Sequence, residues 1–385
     1  MEKLKMIATC EMGLEALVRD ELKELNITVT STENNRVHFE GDYSDLAKAN
    51  IWLRCAGRVL LIVGEFEAKT YDELFENTKA LNWGRFIPKR GKFPVYKVSA
   101  VKSKLYSKSD IQSICKKAIV ENLKAKYTID WLDETEEEYA IRVIGLKDYF
   151  YLTLDTSGLG LNKRGYREKG NNASIKESLA AALVKLSKWD PSRLLADPLC
   201  GSGTILIEAA LIGKNIAPGI NREFAAEYWT TIPNSVFEKE VEKAQELIND
   251  KEFMLVGSDV DYFSIKQAME NAKFAGVDEY ISFQKIDVSN FKTKKRYGVI
   301  ITNPPYGIRL SDKEEIEDIY SKMGEAFKAL SDWSYFIITA YPDFEKPFGQ
   351  RASKKRKLYN GSIRCDYYQF FGKLPPREKK EKTNE

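Results

Sequence analysis

The hydrophobic pattern changes character near the middle of the chain. In the first 150 residues two periodicities are mixed. Residues 11–25 carry Leu14, Leu17, Val18, Leu22 and Leu25 at helical spacing, while residues 36–40 and 140–144 alternate with the period of two expected of half-buried strands. Residues 111–123 read as a second helix, and the acidic run 134–138 as a solvated hairpin tip. This half is expected to be α+β. Beyond residue 175, short apolar runs alternate with helical segments. Strands are expected at 193–196, 253–257, 281–286, 298–302 and 335–340. Helices are expected at 175–189, 204–212, 236–249, 264–275 and 314–329. Apolar strands separated by helices predict a mostly parallel sheet covered on both faces, with ligands bound beyond the carboxyl ends of the strands. Residues 213–250 read as a local insertion with its own helix.

A length of 385 residues suits two or three domains, and 43% hydrophobic with 30% charged residues is ordinary globular composition. No run approaches the roughly 20 apolar residues of a membrane helix. The charged start, Met1-Glu2-Lys3-Leu4-Lys5, lacks a signal-peptide apolar run. Five scattered cysteines (Cys10, Cys55, Cys115, Cys200, Cys365) point to reduced thiols and a cytoplasmic location. The single histidine, His38, argues against histidine-rich metal sites and most histidine-based catalysis, so no metal is expected. The net charge of +3 hides an asymmetry. Residues 84–127 hold twelve Lys or Arg against two acids, interleaved with Phe86, Phe93, Tyr96, Tyr106 and Tyr127. Such a segment suits a polyanion, because cations meet phosphates and aromatic faces stack on bases; it also suits a plain solvated lysine surface. A second basic cluster spans 351–357.

Four motifs carry candidate chemistry. Asp197-Pro198-Leu199-Cys200-Gly201-Ser202-Gly203-Thr204 closes a strand and opens a helix. Its glycines allow close backbone approach, and the helix start offers unpaired N–H groups. It lacks the Lys of a phosphate-binding loop and the third Gly of a dinucleotide fingerprint. It suits the methionine end of S-adenosylmethionine, with the carboxylate on the N–H groups and the amino group on Asp197. Gly257-Ser258-Asp259-Val260-Asp261 ends the next strand, where an acid can accept ribose hydroxyls; Asp259 is favoured over Asp261 because it comes first off the strand. Asp287, followed by Val288, is placed to accept from the adenine amino group. Thr302-Asn303-Pro304-Pro305-Tyr306-Gly307 follows an apolar strand. Its two prolines stiffen the backbone. The Asn303 carboxamide and the Pro304 carbonyl can then both accept from one exocyclic amino group, and Tyr306 can stack on the base.

These residues resemble class I S-adenosylmethionine-dependent methyltransferases that act on exocyclic amines. More closely, the chain resembles the large-subunit ribosomal RNA guanine-N2 methyltransferases, a family often called N6-adenine-specific DNA methylases. Leu161-Asn162-Lys163-Arg164-Gly165-Tyr166-Arg167 with Ala173-Ser174-Ile175-Lys176-Glu177 resembles that family's entrance to its catalytic domain. Ala217-Pro218-Gly219-Ile220-Asn221-Arg222 with Phe224, Glu227 and Trp229 resembles its insertion. The basic half resembles a THUMP domain behind a ferredoxin-like element. The resemblance implies a ferredoxin-like element over 1–45, a THUMP domain over 46–155, a Rossmann-like methyltransferase domain with a seven-stranded, mostly parallel sheet over 160–375, and a charged tail over 376–385. It implies S-adenosylmethionine held by Ser174, Asp197, Cys200, Gly201, Ser202, Gly203, Thr204, Asp259, Val260, Asp287, Val288 and Asn303. Asn303, Pro304, Pro305 and Tyr306 would hold the target base, and Lys89, Arg90, Lys102, Lys104, Lys108 and Arg167 would meet RNA. Some relatives carry a second methyltransferase domain, and one active site is expected here. The expected substrate is 23S ribosomal RNA or a pre-50S particle. The alternatives are a tRNA guanine-N2 enzyme, an adenine-N6 enzyme on RNA or DNA, and a non-catalytic RNA-binding assembly factor.

Overall fold

A computed structural model describes residues 3–167, 175–233, 235–307 and 313–376. The chain divides into two compact units, 1–164 with 217–247 and 165–216 with 248–385.

The first unit is built on one seven-stranded sheet. Its strands are β1 (Leu4–Cys10), β2 (Thr28–Glu33), β3 (Arg36–Gly41), β4 (Ala56–Glu67), β5 (Val95–Val101), β6 (Ile141–Leu146) and β7 (Tyr149–Asp155), in the order β2-β3-β1-β4-β7-β6-β5. The twelve-residue β4 is the spine. Its first half pairs antiparallel with β1 and its second half with β7, so one long apolar strand joins two smaller sheets into one. Helices α1 (Glu15–Glu24), α2 (Tyr43–Trp52), α3 (Tyr71–Ala80) and α4 (Lys108–Tyr127) complete the unit. Asp42 with Asp45, and Thr70 with Glu73, form reciprocal caps at the starts of α2 and α3. Helix α4 outruns the expected 111–123 at both ends. The Ser107 hydroxyl caps its start, and Lys124 and Lys126 suit the negative end of its dipole.

The acidic run is exposed over residues 135–138, as expected, but it leads from α4 into β6 and is no hairpin tip. Glu134 pairs with Lys116 at 2.7 Å and accepts from the Phe93 amide, Glu136 lies 3.6 Å from Arg90, and Glu138 pairs with Lys92 at 2.9 Å. The run straps the basic segment and neutralises part of it. The insertion carries its own helix, as expected, and residues 217–247 group with the first unit. Gly219 donates its amide to the Ile51 carbonyl, and a Cβ there would stand 2.9 Å from Ile51 Cα. Trp229 stacks on Tyr139 at 5.0 Å, and α7 (Ser235–Glu246) lies against α2. Arg222 donates to the carbonyls of Ser157, Leu159, Gly160 and Lys163. Burial first, then Arg164 and Arg58, lower its guanidinium to about 10.

The second unit has the strands β8 (Leu195–Asp197), β9 (Leu255–Asp259), β10 (Ile281–Lys285), β11 (Val299–Thr302), β12 (Ser334–Thr339), β13 (Lys354–Asn360) and β14 (Ile363–Phe370). Their order is β10-β9-β8-β11-β12-β14-β13; the first five are parallel, and the β13–β14 hairpin runs antiparallel against β12. This is the expected α/β, Rossmann-like sheet. Strand β8 starts later than 193 because the Arg193 amide closes a turn on the Asp190 carbonyl; its side chain donates to the Tyr297 and Gly298 carbonyls. Helices α5 (Glu177–Ser187), α6 (Thr204–Gly213) and α8 (Tyr262–Phe274) pack in sequence on one another. Helix α9 (Lys313–Lys328) and the short α10 (Glu345–Phe348) close an aromatic core of Tyr320, Phe327, Trp333, Tyr335, Phe344 and Tyr368. The basic cluster 351–357 runs into β13, an edge strand, where lysines discourage pairing with another chain. Among the described residues no helix is long and apolar enough to cross a membrane.

Candidate active site

The order of the second sheet reverses between β8 and β11, and a reversal opens a crevice beyond the strand ends. Both sharp motifs sit there, because β8 runs into the glycine loop and β11 into Asn303-Pro304-Pro305-Tyr306.

Asp197 is buried at the end of β8. Its Oδ1 accepts from the Thr302 hydroxyl at 2.7 Å and the Leu199 amide at 3.2 Å; no protein group among the described residues meets Oδ2. Burial pushes its carboxyl up to about 7. A cation would reverse that, since it favours the carboxylate. Gly201 and Gly203 have φ of +50° and +78°, which suits glycine. A Cβ on Gly203 would press on Ala268 and Phe283, whereas one on Gly201 would meet no protein atom within 4 Å and point into open space. Helix α6 begins at Thr204 with no side-chain cap, so its first N–H groups face the loop. The Cys200 thiol is buried and held well above its ordinary range by that burial, which leaves it an inert wall.

Asp259 accepts from the Gly201 amide at 2.9 Å and from the Asp261 amide at 3.0 Å. It therefore ties β9 to the glycine loop and retains lone pairs for hydroxyl donors. Asp261 is the N-cap of α8, accepting from Phe263 and Ser264, and this separates the two acids as the strand-end argument does. Val260 is exposed beside Asp259. Asp287 accepts from the Ser289 amide and hydroxyl, and Val288 is buried in the aromatic core.

Asn303 is half-buried, and its Oδ1 accepts from the Tyr306 hydroxyl at 2.6 Å. Pro304 is buried and Pro305 exposed; the Pro305 carbonyl accepts from Tyr320 at 2.8 Å, which braces the turn. Tyr320 and Asn360 escape a reading of the sequence. Thr302 opens the motif there, and only the fold sets its hydroxyl on Asp197.

Arg167 departs from its expected role. Its guanidinium donates to the Thr204 hydroxyl and the Ile175 carbonyl and lies 3.5 Å from Glu177, with its side chain largely buried. It is part of the glycine-loop wall, not an exposed phosphate contact. Ser174 lies outside the described residues. Lys89, Arg90, Lys102, Lys104 and Lys108 all belong to the first unit and are exposed. Arg90 is paired with Glu136, whereas Lys102, Lys104 and Lys108 make no ion pair among the described residues. Tyr106 stands among them, 79% exposed.

A seven-stranded sheet of this order, a glycine loop against an acid at the next strand end, and an Asn-Pro-Pro-Tyr turn across the crevice define a class I methyltransferase. The chain belongs to the family described as RMKL-like, methyltransferase domain, whose profile matches residues 164–369. The RlmL ferredoxin-like domain matches residues 5–60 and the THUMP domain residues 68–155. It is 48% identical to the "Putative RNA methyltransferase YpsC" of Bacillus subtilis (strain 168), over 99% of both chains. It is 31% identical to the "Ribosomal RNA large subunit methyltransferase K/L" of Syntrophotalea carbinolica over 95% of this chain, and spans 53% of that relative. Among solved structures, "SMU.472, a putative methyltransferase complexed with SAH" superposes with a TM-score of 0.92 at 42% identity, covering 98% of this chain and 100% of that one.

Proposed function

We propose that the chain transfers a methyl group from S-adenosylmethionine to the N2 amino group of a guanine in large-subunit ribosomal RNA, as naked 23S RNA or in an assembling particle. The observation that carries the reading is the position of Asn303: a carboxamide oxygen on a braced turn, at the strand end next to the glycine loop. The RNA substrates in the relatives' names and the THUMP match support RNA over DNA.

Bound S-adenosylmethionine supplies an electrophilic methyl on a sulfonium. Asp197 would hold its ammonium, the α6 amides its carboxylate and Asp259 its ribose, with Asp287 at the adenine. The amine to be methylated is a weak nucleophile, because its lone pair is delocalised into the base ring. Asn303 Oδ1 and the Pro304 carbonyl would accept its two N–H groups and turn the lone pair toward the methyl, an orientation effect. The same acceptors stabilise the positive charge that forms on nitrogen. The cofactor would supply the methyl carbon, with its thioether sulfur as the leaving group, and the product ammonium would release its proton to water. No histidine is required. A paired base cannot reach the crevice, so the target is unpaired or flipped, with Tyr306 as its stacking face. Lys102, Lys104, Lys108 and Tyr106 form the surface we assign to RNA, which grips phosphates without reading bases.

The test is labelled-methyl transfer to unmodified 23S RNA, total tRNA and DNA, followed by nucleoside analysis. N2-methylguanosine in 23S RNA is expected. N6-methyladenine, or label confined to tRNA, would overturn the assignment of base or substrate while keeping the site.

A further inference from the structure

We propose that the Tyr306 hydroxyl is a built-in surrogate for the substrate amine: it occupies the Asn303 acceptor in the resting protein, latched by Asn360, and the target base enters by exchanging one hydrogen bond for another. The proposal rests on the reading of Asn303 as the acceptor for an exocyclic amine.

The hydroxyl lies between two carboxamides. It donates to Asn303 Oδ1 at 2.6 Å, and Asn360 Nδ2, at the end of β13, donates to it at 3.5 Å. The Cys365 thiol on β14 lies against the same hydroxyl. An N–H donor approaching Asn303 would take the place that this O–H now holds. Burial raises the phenol well above its ordinary range, so it keeps its proton, and goes on donating, at neutral pH. The turn itself is held by its two prolines and by the Tyr320 bond to the Pro305 carbonyl, so the element able to move is the Tyr306 side chain.

This arrangement selects for amines. A guest that donates an N–H to Asn303 replaces the bond it breaks, and the exchange is nearly balanced. A guest that presents only a carbonyl or ring nitrogen to Asn303 sets two acceptors face to face, which is penalised. Asn360 acts through the hydroxyl and is a positioning residue.

Tyr306→Phe keeps the ring and removes the cap. The KM for 23S RNA is expected to fall about three- to ten-fold, a larger change than in kcat, since one neutral hydrogen bond no longer has to be broken. Asn360→Ala should shift KM in the same direction by about two-fold, because its bond is long. Adding it to Tyr306→Phe should change nothing further, as expected of residues that act as one unit. A drop in kcat at unchanged KM, or full additivity, would overturn the proposal. A second measurement needs no RNA. With 3-fluorotyrosine at position 306, the Asn303→Ala variant should move the fluorine resonance; an unmoved resonance also overturns the cap. A moved resonance in a protein that methylates no RNA leaves the cap standing and removes the substrate reading instead.

Discussion

The crevice of the second unit and the basic face of the first use charge in opposite ways. In the crevice the ionisable groups are few, and each is tied in place. Asp197 is buried against Thr302, Asp259 bridges two backbone amides, and Arg167 is walled in by Thr204 and Glu177. On the basic face Lys102, Lys104 and Lys108 are exposed and make no ion pair among the described residues, while Arg90, Lys92 and Lys116 of the same basic segment are already answered by the acidic strap. A site of the kind proposed, which orients one nitrogen, would depend on individual atoms. A surface that collects a polyanion depends on summed charge, and counting basic residues overstates what is available.

Breaking the first half of that contrast takes one atom group. Asn303→Ala should reduce methyl transfer by about a hundred-fold or more while cofactor affinity, measured by calorimetry, stays within about two-fold. Comparable losses in both would mean that Asn303 serves the cofactor. The second half takes several charges. Reversing Lys102, Lys104 and Lys108 together to Glu should weaken RNA binding at least about ten-fold near 0.15 M salt and lower the log–log salt slope by about two, without changing the unfolding midpoint. An unchanged slope would place the RNA surface elsewhere.

The crevice also carries a pH signature that the face lacks. Its buried carboxyl titrates near 7 when no cation is present, and holding an ammonium requires the carboxylate. On the role proposed for Asp197, protonation would compete with the cofactor. Affinity should fall about five-fold as pH drops from 7 to 6, steepening toward about ten-fold per unit below that, and Asp197→Asn should remove the dependence. A flat profile in the parent protein would separate Asp197 from the ammonium. The smallest effect sharpens the face: Arg90→Gln should change RNA affinity by less than about two-fold, and Lys102→Gln by more, because Arg90 already has Glu136. Equal effects would mean that the strap opens when RNA binds.

Much of the crevice is legible in the amino-acid sequence. The glycine loop, Asp259 and the Asn303 turn are short-range signals, each stating its own backbone requirement at a strand end. Arg167 is the exception. It stands in a basic, tyrosine-containing stretch much like an RNA contact, and only the fold turns its guanidinium onto the glycine loop. Asn360 is invisible for a similar reason. It comes from a lysine-rich strand 54 residues beyond Tyr306, and nothing local ties the two.

The chain's periodicity determined by itself that an α+β half precedes a parallel-sheet half, because the spacing of apolar residues dictates which face of a helix or strand must be buried. Its turn residues determined where the glycine loop and the Asn303 turn fall along the chain. Tertiary structure alone decided that β4 would span two sheets as one, that residues 217–247 would pack with the first unit, and that the acidic run 134–138 would strap the basic segment. Those outcomes depend on partners distant in sequence, and the winning partner is the one that buries most apolar surface and leaves fewest polar groups unmet, a sum that no single segment contains.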